Sequence, residues 1–275
     1  MNIQDRAEAL HRLHTGEPLL LLNAWDAGSA RMAESLGARA IATTSAGLAW
    51  SLGWADGQQI ERAEALAALR RIVRAVSLPV TADIESGYGA GQPADVAETV
   101  QGVLAAGAVG INLEDSPGLG DSPLRDTGAQ CELIATARRV ADQEGVRLFI
   151  NARTDVFLDQ VGEPAGRLSE VLRRAAAYLD AGADGIFVPG VVDAHTIRQL
   201  SQGIAAPLNV LAQAGCPPLA ELRSLGVARV SLGSRLAGVA LGAARKAAQE
   251  VLAGVFPAWP EALSYAEAQR LYGHG

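Results

Sequence analysis

The strongest constraint on this chain is a rhythm that runs through it. Short apolar runs alternate with longer amphipathic ones: "PLLLLNAWD" then "AGSARMAESLGA", "LPVTADIES" then "PADVAETVQGVLAAGA", "RLFINARTD" then "GRLSEVLRRAAAYLDAGA". The short runs read as buried strands. The longer ones carry apolar residues three and four apart and read as helices. Strand and helix in alternation predict a parallel sheet with helical crossovers. Eight such units follow one another, which predicts a closed (β/α)8 barrel of the TIM type. An open doubly wound sheet is the alternative, but no G-x-G-x-x-G turn opens the first unit. Several helices end in "AGA", "LGA" or "LGV", where glycine suits a left-handed cap before the next strand.

With 275 residues, 49% of them hydrophobic, the chain can build one large core. We expect one barrel domain over 1–275 with a helical C-terminal extension over about 255–275, "FPAWPEALSYAEAQRLYGHG", whose Trp and Tyr residues are candidates for packing on a neighbouring subunit. The net charge of −7, with no basic run to offset it, argues against nucleic acid as a partner. The longest apolar run, "PLLLLNAW", is too short to span a bilayer, and the charged, helical "MNIQDRAEALHRLHTG" does not read as a signal peptide. Cys131 and Cys216 form no metal-type spacing, so a reduced, cytoplasmic protein is the expectation, with both thiols packed inertly. His11, His14, His195 and His274 fall on helices or termini and are expected at the surface.

In a barrel of this kind the chemistry gathers at the C-terminal ends of the strands. Those ends are dense in polar groups here. Strand one ends in Asn23 and Asp26, strand two in "TTSAG" with Asp56 in the loop beyond, strand three in Asp83 and Glu85, strand four in "NLED", strand five in "NARTD", and strand seven carries Asn209. Asp83 and Glu85, two apart, are expected on one side of their strand, with Glu114 in the same layer. Three carboxylates at one point repel one another, and a divalent cation relieves that. An all-oxygen site without His or Cys favours Mg²⁺, with Mn²⁺ as the alternative, over Zn²⁺. Arg153 suits bidentate binding of a substrate carboxylate. Ser45, Ala46 and Gly47 are small enough for their backbone N–H groups to approach an anion. Together these features describe a site for a 2-oxo acid or its enolate. Plainer roles stand beside these. Asp83-x-Glu85 also fits a solvated loop start, Arg153 a structural pair with Asp155 or Glu114, and Ser234 in "SLGSRLA" either a phosphate-binding turn or a helix cap.

The strand-end pieces "SAGLAWSLGWAD", "LPVTADIESGYG", "GAVGINLEDS" and "FINARTD", in this order, resemble the isocitrate lyase/phosphoenolpyruvate mutase superfamily. The resemblance implies a Mg²⁺-dependent enzyme acting on a small 2-oxo or 2-hydroxy acid through an enolate. It implies Asp83 as the direct metal ligand. Asp56, Glu85 and Glu114 would hold the metal's waters, Asp56 being also a second candidate for direct ligation. Arg153 would bind the substrate carboxylate, and Ser45, Ala46 and Gly47 would form the backbone grip. Asn209, from its place on strand seven alone, is a further candidate substrate contact. The family also implies a homo-oligomer, dimer or tetramer, in which the last barrel helix is exchanged between subunits.

The departures from the family pattern bear on the reaction. The lyases carry a K-[KR]-C-G-H loop after strand four, but here that loop reads "EDSPGLGDSPLRDTGAQC". A lyase Glu after strand six is matched by Gly190 in "VPGV". Isocitrate-type cleavage by the usual acid is therefore not expected. The loop is composed like a lid, with Asp121, Ser122 and Arg125 as its candidate reacting or gating groups. C–C lyase or hydrolase chemistry is the leading expectation. Phosphonopyruvate-type P–C mutase or hydrolase chemistry is the second, disfavoured because Asp121 would repel a phosphoryl group. A non-catalytic 2-oxo acid-binding relative is the third. A Schiff-base aldolase is excluded, because Lys246 is the only lysine and lies inside the last long helical run.

Overall fold

The computed structural model describes residues 2–117 and 123–273. Its eight short strands are β1 (Leu19–Ala24), β2 (Ile41–Thr43), β3 (Val80–Asp83), β4 (Gly110–Glu114), β5 (Phe149–Arg153), β6 (Gly185–Val188), β7 (Leu208–Leu211) and β8 (Arg229–Ser231). All neighbours are parallel, and β8 pairs back onto β1, so the sheet closes in sequence order into the expected (β/α)8 barrel. The helices are α1 (Ile3–Arg12), α2 (Ala27–Ser35), α3 (Ser45–Ser51), α4 (Arg62–Ala75), α5 (Pro93–Ala106), α6 (Thr127–Gln143), α7 (Arg167–Asp180), α8 (Ala194–Gly203), α9 (Leu219–Ser224), α10 (Arg235–Leu252) and α11 (Tyr265–Tyr272). Gly107, at φ +90°, ends α5 in the left-handed conformation that "AGA" predicts, where a side chain would be strained. Among the described residues no helix is long and apolar enough to cross a membrane.

The strand register fixes which side chains point inward. Asp83, Asn112, Asn151 and Gly185 lie level across β3 to β6. One pleat higher, Glu114, Arg153 and Phe187 lie level, and Asn209 and Arg229 continue that row across β7 and β8. The apolar core lies mainly between strands and helices, in residues such as Ile111, Leu113, Ile134 and Ile150. The barrel centre is polar instead. Asn151 Nδ2 donates to Asn112 Oδ1 (2.9 Å) and Asn209 Oδ1 (3.0 Å), and Asn209 Nδ2 donates to Ser231 Oγ (3.1 Å).

Two features differ from expectation. The "TTSAG" strand end turns into α3 at Ser45, because Thr44 takes an extended conformation and its hydroxyl accepts from the Gly47 N–H (3.5 Å). His14 is also not at the surface. It is 6% exposed at the foot of the barrel, just beyond α1, and its ring stacks on Phe149 with centroids 3.9 Å apart. In the extension, Trp259 Nε1 donates to Glu250 Oε2 of α10 (3.1 Å), whereas Tyr265 is 81% exposed.

The His14 environment yields a prediction. Burial, and then the Arg229 charge, lower its pKa to about 3 against 6.5. The folded state therefore binds fewer protons at this site than the unfolded chain. Its contribution to stability is whole above pH 6.5 and is lost as pH falls from there toward 3. We expect unfolding free energy to fall by up to about 1.4 kcal/mol per pH unit through this one group. Urea melts of wild type and His14→Gln from pH 7 to pH 4.5 check this, and the variant should show the shallower slope.

Candidate active site

The strand-end pocket encloses about 210 Å³. Ser45, Ala46, Asp56, Asp83 and Arg153 line it, together with Asn23, Asn112 and Ser231 from the barrel centre. A larger cavity of about 620 Å³ opens at the opposite end, between α1 and the barrel foot, and carries none of these groups. The chemistry-bearing residues lie in the smaller pocket.

Asp83 is the last residue of β3, and its backbone N–H donates to Thr43 Oγ1 (2.8 Å). Its carboxylate receives two long hydrogen bonds, from the Ser45 N–H (3.3 Å) and the Glu85 N–H (3.4 Å). These leave acceptor capacity facing the pocket. The strand pleat does not continue to Glu85. That residue sits at φ +51° in a turn closed by the Gly87 N–H donating to Ile84 O (2.9 Å). The expected two-residue alternation therefore fails, and the turn is what brings the second carboxylate close. Glu85 Oε2 accepts from the Gln58 N–H (2.6 Å), and Gln58 Nε2 reaches Ser86 Oγ (2.7 Å). Glu85 thus anchors the loop that presents Asp56. Burial, then Asp83, then Asp56, push the Glu85 carboxyl up to about 7. Burial and Asp83 likewise raise Asp56, against hydrogen bonds from Gly57 and Ser45. Among the described residues, no basic side chain is bonded to any of these three carboxylates.

Glu114 is turned the other way. Its N–H donates to Glu85 O (2.9 Å), which sets it level with Glu85, but its carboxylate pairs with Arg153 Nη1 at 2.7 Å. Arg153 also donates from Nε to Asp155 Oδ1 (2.7 Å) and from Nη2 to Asp155 Oδ2 (2.9 Å). Burial alone would lower the Arg153 pKa, but Glu114 and Asp155 together raise it, so the guanidinium stays charged. Both plainer pairings expected for Arg153 are present, and the residue still lines the pocket. Three carboxylates therefore do not meet at one point. Among the described residues no group of three His, Cys, Asp or Glu is close enough to hold a metal ion alone. The donor set nevertheless fits Mg²⁺. One carboxylate with free acceptor capacity, and others within reach of coordinated water, is how this ion is usually bound.

Other expected residues lie elsewhere. Gly47 is packed beneath the rim, where an added Cβ would fall 2.7 Å from Thr44 Cγ2 and 2.9 Å from Trp25 Cβ, so its role is close packing of α3. Asn209 lies under the pocket floor, 1% exposed and hydrogen-bonded within the asparagine network, not on the lining. Arg125 faces away from Asp83. Its Nη1 donates to Gln130 Oε1 (2.7 Å) and its N–H to Asp115 O (2.7 Å), which ties down the base of the loop. Asp121 and Ser122 lie outside the described residues. Ser234 makes no side-chain cap on α10, and the Leu232 and Gly233 N–H groups both donate to Asn23 Oδ1 (2.8 and 3.1 Å).

Two groups escaped the sequence reading. Arg229 is a second cation, 1% exposed inside the barrel, with Nη2 donating to Asn112 Oδ1 (3.0 Å). Burial lowers its pKa to about 9, and Asp83 opposes that. Its signal was available, since Arg229 and Ser231 alternate with Val230 on a strand and so face inward. Asp115, present in the "NLED" strand end but given no role there, is the other. It is fully buried and accepts from Tyr178 Oη (2.8 Å), Arg174 Nη1 (3.1 Å) and the Asp155 N–H (3.0 Å). Asp115→Ala leaves Arg174 without its buried counter-charge, and we expect a loss of about 3–5 kcal/mol in urea denaturation. Tyr178→Phe removes one hydrogen bond and should cost about 1 kcal/mol.

Comparison with known proteins places the chain in a family. The family model for phosphoenolpyruvate phosphomutase matches residues 10–252. The 2-methylisocitrate lyase of Escherichia coli K12 is 30% identical over 238 residues, covering 83% of this chain and 78% of the lyase. An oxaloacetate decarboxylase from Bradyrhizobium sp. BTAi1 is 32% identical over 239 residues, covering 84% of this chain and 78% of its own. The crystal structure of a candidate lyase/mutase from Burkholderia cenocepacia J2315 superposes with a TM-score of 0.91 at 38% identity, covering 99% of this chain and 97% of that one. The chain belongs to the isocitrate lyase/phosphoenolpyruvate mutase superfamily and is an enzyme of its lyase and mutase kind.

Proposed function

We propose that this enzyme is Mg²⁺-dependent and acts on a small 2-oxo or 2-hydroxy acid through an enolate, breaking a C–C bond. The observation that carries this reading is the division of charge in the pocket. Asp83 and Asp56 stand at one pole, with Glu85 buried behind them, and Arg153 stands at the other. Asp83 would hold the ion directly, with Asp56 and Glu85 receiving hydrogen bonds from its waters and Glu114 able to do so only through the oxygen not paired with Arg153. When bound, the ion supplies Lewis-acid stabilisation of negative charge developing on the substrate's 2-oxo oxygen. Arg153 orients the substrate carboxylate. Three of its N–H groups are committed to Glu114 and Asp155, so about two of the guanidinium's five remain. The Ser45 N–H, which donates to Asp83 Oδ2 (3.3 Å), would be a backbone donor to the substrate's anionic head. Asn112 and Ser231 close the floor.

C–C cleavage is favoured over P–C chemistry by one feature of β8. In barrels of this type a phosphoryl group is commonly received by backbone N–H groups after the last strands. Here the Leu232 and Gly233 N–H groups are already bound by Asn23 Oδ1. The proton that quenches the enolate has no donor assigned among the described residues, since Arg125 is turned to Gln130.

Self-association belongs to the same proposal. Of its eighteen residues α10 buries only Ala237, and it leaves Val239 68% and Leu241 54% exposed. Residues two apart lie on different sides of a helix, so α10 is apolar and uncovered on more than one side, which fits its exchange between copies in a dimer or tetramer. Light scattering should report such an oligomer, and Val239→Glu with Leu241→Glu should dissociate it.

Oxalate, a planar dianion shaped like the enolate of pyruvate, tests the site by calorimetry. Wild type should bind oxalate only with Mg²⁺. Asp83→Ala should abolish that binding, and Arg153→Met should weaken it about tenfold or more. Unchanged oxalate binding in Asp83→Ala would refute the assignment. Turnover of substituted malates and 2-oxo acids, set against phosphonopyruvate, separates C–C from P–C chemistry.

A further inference from the structure

The pocket has two unlike walls. In a closed barrel of eight strands, β3 and β7 stand opposite one another, so Asp83 faces Leu211 across the mouth. Carboxylates, the Ser45–Ala46 backbone and Asn112 make up the first wall. Leu158, Phe187, Pro189, Leu211 and Leu232 make up most of the second. Leu158 keeps 41% of its surface exposed while lining the cavity. An apolar side chain fixed open to water at the mouth of a site gains when a ligand's apolar group covers it.

The backbone enforces that position. The turn after β5 is pinned by the Asp159 N–H donating to Asp155 O (2.8 Å) and the Val161 N–H donating to Val156 O (2.9 Å), with Val156 fully buried. Gly190, at φ +89°, packs directly on this turn. A Cβ there would fall 2.7 Å from Leu158 N and 2.8 Å from Leu158 Cα. These are backbone atoms, so any side chain at 190 has to displace Leu158. A second carboxylate on the substrate would find little on this wall. Besides Arg153, the lining cation among the described residues is Arg235, exposed at the rim with Nη2 donating to Gln213 Oε1 (3.3 Å).

Resting on the function proposed above, we infer that the substrate carries a small alkyl substituent beyond its 2-oxo or 2-hydroxy acid head, received by Leu158, Phe187 and Leu211. The cavity of about 210 Å³ corresponds to about seven water volumes, which suits the acid head and a few carbons. Gly190 is the positioning residue of this wall, because it admits the turn that carries Leu158.

Calorimetry with Mg²⁺ and a homologous series tests the inference. Pyruvate, 2-oxobutyrate and 2-oxopentanoate should bind wild type about fourfold more tightly per added methylene. 2-Oxoglutarate, which matches 2-oxopentanoate in carbon count but ends in a second carboxylate, should bind at least about tenfold more weakly than it. Leu158→Ser and, through the backbone, Gly190→Ala should lower the ratio of 2-oxopentanoate to oxalate affinity. A flat series in wild type, or 2-oxoglutarate binding as tightly as 2-oxopentanoate, overturns the alkyl wall while oxalate binding upholds the shared acid site. Absence of Mg²⁺-dependent binding for oxalate and pyruvate alike overturns both.

Discussion

The register Leu19↔Arg229, Leu20↔Val230, Leu21↔Ser231 joins the last strand to the first, and the arrangement of the pocket depends on that closure. A closed parallel sheet has no edges and only one set of C-terminal rims, so groups far apart in sequence must share one small mouth. Asp83 and Ser231 are 148 positions apart (231 − 83) and line one cavity. Closure also joins the asparagine network across the barrel centre, from Asn112 through Asn151 and Asn209 to Ser231, and gives the pocket a polar floor.

Charge within this frame is distributed unevenly, and the distribution separates structure from function. Asp115, Arg174 and Tyr178 satisfy one another away from the mouth, which is what a buried ionic group needs if it is to serve only the fold. Arg153 is partly satisfied by Glu114 and Asp155. Among the described residues no cationic side chain is bonded to Asp83 or Asp56, and Glu85 is pushed up to about 7 by burial and by those same neighbours. A fold seldom keeps such carboxylates together unless a ligand compensates them. Arg229, under the floor and sensing Asp83, offsets part of that charge from below.

Much of this was legible in the sequence. The alternating periods gave the barrel, because parallel strands joined by helices have few ways to pack. The positions of Asp83, Glu114 and Arg153 followed from strand ends. The misses have local physical causes. The pleat ends at Asp83, two residues short of Glu85, and nothing in "ADIESG" announces a non-glycine residue at positive φ. Gly47 and Asn209 are residue types that suit ligand contacts, but their positions below the rim follow from how α3 and β7 pack. The charged pattern around His14 suits a surface, but the segment just beyond α1 covers the barrel foot and stacks this ring on Phe149. The apolar wall could not be read at all, since Leu158 and Gly190 meet only after the turns following β5 and β6 fold against each other.

The central claim is that the carboxylate pole at Asp83 holds a divalent cation together with an anion that reaches toward Arg153. Anomalous diffraction from crystals grown with Mn²⁺ and oxalate tests it most directly. The account predicts one anomalous peak about 2.0–2.3 Å from an Asp83 carboxylate oxygen, chelated by oxalate, with Asp56 and Glu85 contacting its waters. A peak bonded elsewhere, or oxalate seated at the Arg235 rim with no metal at Asp83, would contradict it.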